Sequence, residues 1–302
     1  MQEIKFKNIT LEDQVLIEFY LQKYSSFCLS AFTFSSLISW APVYHYQWAV
    51  FSNTLLIKLK TLEDNKEHLM QPLGEFPIEL QTILIQHAKS LDYRLTIYGV
   101  SGAFISKHQD FLSDFEQTEH RDMDNYIYSA EDLALLNGKN YQAKRNLVNQ
   151  FEANYNWTSE PISIANIIDC REVVNKIYSQ DELDSDSYLS HELKALDIIL
   201  KNYPKFKEDG ILIRIDNKPV AFSIFENLNP TTCVVHFEKA IREYKGLYQL
   251  VNRETAKQIL SKGYKFINRE EDLGIEGLRK AKLSYHPLRL CPAYAFVLKK
   301  QL

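Results

Sequence analysis

The stretch His236–Leu260, HFEKAIREYKGLYQLVNRETAKQIL, holds a strand end, a turn and a helix in one line. The preceding TTCVV is β-branched, so the run TTCVVHFEKAI predicts a strand. Lys245-Gly246 supplies the turn. LYQLVNRETAKQIL has helical spacing and is closed by Gly263. A glycine between strand and helix lets backbone amides turn toward one point. The free N–H groups and the positive end of the helix dipole favour an anion there, and Lys245 adds a full charge. A plain chain reversal with a solvated lysine explains the same residues, and both readings stand.

Working outward, the second half reads as helix, helix, hairpin, strand, helix, strand, helix, strand. IIDCREVVNKIY and SYLSHELKALDIILKNY are the helices, and GILIRIDNKPVAFSIFENL is the hairpin. YKFINRE follows as a strand, IEGLRKAKLSY as a short helix and AYAFVLKK as the closing strand. The first half runs in much the same order. Two helices, a hairpin around Ser52-Asn53, the strand EHLMQPLG, a helix opened by Pro77, RLTIYGV, the helix SGAFISKHQDFLSDF and the strand DNYIYS follow one another. Two units of ordinary domain size are expected, 1–130 and 155–302, joined by a helical connector over 131–154.

The 302 residues are 45% hydrophobic and 25% charged, which is globular composition. No apolar run reaches 18 residues, and MQEIKFKNITLEDQ is no secretory signal. Cys28, Cys170, Cys233 and Cys291 form no C-x-x-C pair and have no zinc spacing, so reduced core thiols in a cytoplasmic protein are expected. From His236 onward there are 14 Lys and Arg against 7 Asp and Glu, whereas the rest holds 21 basic and 32 acidic residues. That asymmetry fits a local anionic ligand or simply uneven surface charge. Trp40, Tyr44, Tyr46 and Trp48 read as core, or as a hydrophobic acceptor pocket.

The element order resembles the GNAT acyltransferase fold used twice, as in Fem-type aminoacyltransferases. YSAEDLALLNGKNYQAKRNLVNQF, VVHFEKA, YKGLYQLVNRE and INREEDLGIEGLRKAKLSYHP are similar to the family related to the phosphatidylglycerol lysyltransferase C-terminal domain. The resemblance implies an α/β (α+β) fold of two tandem GNAT-type units, each a mixed, mostly antiparallel sheet flanked by helices. In acetyl-CoA-using GNAT enzymes the turn position carries Arg/Gln-x-x-Gly-x-Gly/Ala, which holds pyrophosphate. Here Glu243, Tyr244, Lys245, Gly246, Leu247 and Tyr248 stand there, acidic at the start and bulky at the end. Ordinary coenzyme A binding is therefore disfavoured.

Four further motifs are candidates. Asn268-Arg269-Glu270-Glu271-Asp272 ends a strand, where ligands sit in α/β sheets, and Glu271 is a candidate general base. Capping by Glu271 or Asp272 is the plain alternative. Three carboxylates also suit a hard cation, but no metal site is assigned. Ile275, Leu278 and Lys282 share a helix face by spacing, so Lys282 falls on the apolar stripe. The resemblance gives Lys280 and Lys282, flanked by Arg279, a phosphate-contacting role. Lys144 and Arg145 in the connector resemble a basic helix of Fem-type enzymes. Alternation puts His236 and Glu238 on one face, and the resemblance makes either a candidate base, with Tyr285 a candidate acid.

A transferase without a tightly bound cofactor is expected. Its donor is an aminoacyl-tRNA or an acyl-CoA, and its acceptor a lipid headgroup, peptide or small amine. An acetyl-CoA N-acyltransferase and a non-catalytic binding module are the rival readings.

Overall fold

A computed structural model describes residues 4–24, 28–178 and 187–300. Numbered along the chain, the strands are β1 (Lys7–Asn8), β2 (Gln47–Phe51), β3 (Thr54–Lys60), β4 (Glu67–Met70), β5 (Leu73–Gly74), β6 (Thr96–Val100) and β7 (Phe115–Thr118). There follow β8 (Asn125–Ser129), β9 (Trp157–Pro161), β10 (Glu208–Ile215), β11 (Lys218–Asn229), β12 (Thr232–Ala240), β13 (Phe266–Asn268), β14 (Arg289–Cys291) and β15 (Tyr294–Leu298). They form two mixed sheets, ordered β1-β2-β3-β4-β6-β15-β7 with β5 beside β3, and β14-β8-β13-β12-β11-β10-β9.

The two sheets repeat one plan. In the first, the β2–β3 hairpin is followed by antiparallel β4, and the helix Ile78–Ser90 then leads to β6, parallel to β4. In the second, the β10–β11 hairpin is followed by antiparallel β12, and the helix Leu247–Ser261 leads to β13, parallel to β12. Both hairpin turns hold two consecutive left-handed residues. Ser52 and Asn53 have φ 46° and 56°, and Asp216 and Asn217 have φ 48° and 65°. Such turns match the right-handed twist of their strands.

The last strand of each repeat lies in the other repeat's sheet. β8 pairs antiparallel with β13 of the second sheet, and β15 pairs antiparallel with β6 and β7 of the first. The compact units are accordingly 1–124 with 291–302, and 125–290. This differs from the expected division at 130/131 and 154/155. The expected connector is not a linker either. Its helices Ala130–Leu135 and Gln142–Asn154 bury Leu133, Ala134, Val148 and Phe151 inside the second unit. AYAFVLKK likewise closes the first sheet and not the second.

The first unit's core gathers Leu56, Leu69, Phe76, Ile97 and Phe111. The helix Ile78–Ser90 faces it with Leu80, Leu84 and Ala88, one helical face by four-residue spacing. The expected helix over 101–115 is two short ones, Gly102–Lys107 and Gln109–Leu112, parted at His108. Of the four aromatics expected in the core, Trp48 and Tyr46 are buried, whereas Trp40 and Tyr44 are half-buried. Cys170 and Cys233 are buried in the second unit, whereas half-buried Cys28 and Cys291 lie with their sulfurs 2.6 Å apart in the first. In the second unit, the helix Leu247–Ser261 buries Leu247, Leu250, Val251 and Ile259. Each such side chain contributes about 1.5–3 kcal/mol.

Candidate active site

The site begins where two parallel strands part. β12 and β13 pair from Thr232↔Phe266 to Val234↔Asn268, after which β12 runs on to Ala240 while the chain beyond Asn268 turns away. Ligands of α/β sheets bind outside such strand ends. Backbone strain marks the place: Glu270 and Leu273 have φ of 57° and 54°, a region non-glycine residues seldom occupy. Asn268 shapes the turn. Its side chain is fully buried, donates to Asn125 Oδ1 at 2.8 Å and accepts from the Glu270 N–H at 2.6 Å.

Arg269 lies in the gap. Its guanidinium donates to Glu238 Oε1 at 3.0 Å and stands 5.2 Å from the Tyr285 ring centre and 5.9 Å from that of Tyr128. Asn252 lies alongside; with its amide turned so that the oxygen faces the guanidinium, it accepts from Arg269 at 3.1 Å. Burial works against the Arg269 charge, but Glu238, Tyr128 and Tyr285 together outweigh it and the pKa is raised. Glu238 is thus committed to a cation.

Lys282 is the buried residue of the helix Glu276–Leu283, at 8% exposure, while Ile275 is 50% exposed. The face expected to be apolar is held inside by a lysine. Its ammonium donates to the backbone carbonyls of Arg269 and Glu271. Burial brings its pKa down to about 8, against the opposing pull of Glu271 and Glu270. Burial, with the Glu270 carboxylate beside it, pushes Glu271 up to about 7 despite Lys282. Asn125 Nδ2 reaches Glu271 Oε2 at 3.4 Å. Burial thus moves the two groups toward each other in strength, with the Lys282 ammonium held against the Glu271 backbone.

The remaining candidates divide. Lys144 joins the cluster, donating to Ser284 Oγ at 2.7 Å and lying 4.2 Å over the Tyr285 ring. Burial and Arg269 lower its pKa. Tyr285 is buried, which raises its pKa well above the ordinary value. Arg145 is elsewhere, fastening the carbonyls of Leu136 and Gly138. Arg279 grips Asp272 with two bonds of 2.8 Å, and Tyr126 donates to the same carboxylate at 2.6 Å. The Arg279 guanidinium holds the Asp272 carboxyl far below the usual range. Asp272 also accepts from the Gly274 N–H at 3.0 Å, so it closes the turn. Lys280 is exposed.

His236 does not share a face with Glu238. The register steps from Phe225↔Val235 to Ile224↔Phe237, leaving His236 as the extra residue of a bulge. Glu226 and Ser223 lie on opposite faces of β11 by alternation. His236 bonds Glu226, whereas Glu238 stands opposite Ser223. The bulge has re-aimed the imidazole, a shift that no residue pattern announces.

The opening turn has a packing explanation. Gly246 has φ 93°, and a Cβ there would meet the Leu147 carbonyl oxygen at 2.3 Å. The helix Gln142–Asn154 lies against this turn, with Tyr155 on Tyr244 and Glu152 bonded to Arg253 at 2.6 Å. Only glycine fits both the backbone angle and the close approach. Lys245 and Tyr248 are exposed, and Leu247 is fully buried.

The model of the phosphatidylglycerol lysyltransferase C-terminal family matches residues 27–297. The chain belongs to that family. A conserved protein of unknown function from Bacteroides thetaiotaomicron is 34% identical, with 98% of this chain and 100% of that one covered and a TM-score of 0.89. The L-PGS structure from Bacillus licheniformis is 16% identical over 96% of this chain and 93% of its own, with a TM-score of 0.64. FemX is 9% identical over 98% of both chains, with a TM-score of 0.55. The fold is the tandem GNAT and Fem-type acyltransferase fold. No curated protein matches. Among the described residues, no helix is long and apolar enough to cross a membrane.

Proposed function

We propose that this protein is an acyltransferase that moves an aminoacyl group from aminoacyl-tRNA to an amine or hydroxyl acceptor. The observation that carries the reading is the Glu271–Lys282 pair where β12 and β13 separate: Lys282 donates to the Glu271 carbonyl, and burial raises the glutamate and lowers the lysine. Membership of a lysyltransferase-related family supports the same class of reaction. In this proposal the Glu271 carboxylate takes the proton of the acceptor's N–H or O–H as its lone pair adds to the donor's ester carbonyl. The C–O bond to the ribose then breaks, and the departing oxygen takes a proton from the Lys282 ammonium. Proton exchange from Glu271 resets the pair. A base near neutrality is effective at pH 7 because it is both unprotonated and strong enough.

Glu238 is assigned a positioning role, holding Arg269 beside the Tyr285 and Tyr128 rings. Lys144, with no carboxylate partner among the described residues, is offered to donor phosphate, and exposed Lys280 extends that charge. The acceptor would be a lipid headgroup, a peptide or a small amine. The packing of Gly246 against Leu147 favours this reading over a coenzyme A pyrophosphate seated at that turn.

The test is retention of total charged tRNA and of acetyl-CoA at two salt concentrations. Phosphate contacts make binding fall steeply with salt. Salt-sensitive tRNA retention, weakened in Lys144→Ala/Lys280→Ala, is expected. Binding of acetyl-CoA alone would overturn the donor assignment.

A further inference from the structure

We propose that Glu208, Glu226 and His236 form a binding site for one first-row divalent cation. The trio comes from three adjacent strands of the second sheet. One ligand atom from each lies within 4.8 Å of the others. Metal–ligand bonds of about 2.0–2.2 Å can bring such a set onto one ion with small side-chain shifts. Glu208 stands directly opposite Glu226 in the β10–β11 register, and like charges so placed repel. The bulge on β12 sets His236 Nε2 2.8 Å from Glu226 Oε1.

A separate observation concerns the other side of the ring. His236 Nδ1 lies 2.8 Å from Glu270 Oε1. A carboxylate on the far nitrogen is the usual support of a metal-bound imidazole, because it fixes the ring and aims the other lone pair at the ion. Charge points the same way. Two carboxylates facing each other across a strand pair are drawn together by a dication, which the ring nitrogen can bind at the same time. These groups are well inside the protein: His236, Glu226 and Glu208 have 6%, 12% and 9% exposure. Burial strengthens the attraction of such a set for a cation, since the surrounding medium screens it less than water does. One imidazole with two carboxylates suits Zn²⁺ or Mn²⁺ better than Mg²⁺, which keeps its waters. The ion would tie β10, β11 and β12 together near the place where β12 leaves β13. Glu238, Glu271 and Lys282 supply no ligand, but Glu270, which holds the imidazole, also adjoins Glu271, so the ion would lie beside the transfer site.

Full-length protein treated with chelator and then exchanged into Zn²⁺ or Mn²⁺ tests this by calorimetry and by metal content after gel filtration, with Mg²⁺ as the comparison. One retained equivalent per chain is expected, with proton release on binding. Glu208→Gln and His236→Asn should abolish retention, and Glu270→Gln should weaken affinity by about 10–100-fold. Absence of a stoichiometric ion in the wild-type protein overturns the proposal. So does unchanged affinity in a Glu208 or His236 variant that keeps its circular dichroism. X-ray absorption of the loaded wild-type protein needs no variant: imidazole and carboxylate ligation is expected, and thiolate ligation overturns the site.

Discussion

At the scale of single residues, Glu271 and Lys282 depart from ordinary behaviour in opposite directions. Glu271 must be unprotonated and Lys282 protonated for the proposed transfer. The rate should therefore rise with pH to about 7 and fall above about 8, a narrow bell. Glu271→Gln should remove the acidic limb and lower turnover by about 10²–10⁴-fold, with donor binding retained. A single-turnover assay across pH checks both, and an unchanged acidic limb would place the base elsewhere. Stability has its own pH signature. Between about 8 and 10.5 the folded chain binds fewer protons at Lys282 than the unfolded chain, so Lys282 makes stability rise with pH through that window. Glu271 does the reverse between 4.5 and about 7, where the folded state holds the extra proton. Over that lower window the urea midpoint should fall with rising pH more steeply in the wild type than in Glu271→Gln. Equal slopes would mean that Glu271 is ionised in the folded protein throughout.

At the scale of elements, the turn that opens the helix Leu247–Ser261 is where a ligand reading and a packing reading diverge. Gly246→Ala forces a Cβ against the Leu147 carbonyl at a positive φ. A loss of about 2–4 kcal/mol is expected, from backbone strain plus overpacking. Exposed Lys245→Ala should stay within about 0.5 kcal/mol. Denaturant midpoints decide: a Gly246→Ala protein of normal stability would mean that the turn is free to serve a ligand. Much at this scale is legible in the residues alone. Asp216-Asn217 and Ser52-Asn53 announce hairpins because their residue types tolerate left-handed angles. The helix over 247–261 announces itself by period. Short strands such as Trp157–Pro161 do not, since WTSEP is partly exposed and carries no alternation. Lys282 is legible as a lysine on the buried side by its spacing. The bulge at His236 is not, because an extra residue is defined by its partner strand and leaves no mark in its own.

At the scale of the whole molecule, alternation identifies a strand and its buried face but says nothing of which sheet receives it. DNYIYS and AYAFVLKK both read as strands, yet each repeat gives its last strand to the other's sheet. The exchange has a consequence for dissection. A fragment 1–130 carries β8 without its β13 partner, and lacks the β15 that separates β6 from β7. A fragment 131–302 carries β15 without β6, and lacks β8 beside β13. Each would expose unpaired strand edges and an apolar strand with no sheet to join, which favours aggregation. Neither fragment should therefore unfold cooperatively by itself, whereas co-expression of the two should recover a soluble complex with the wild-type transition. Cooperative unfolding of 1–130 alone, by circular dichroism with heat, would show that the repeat can close its own sheet and that the exchange is not needed for folding.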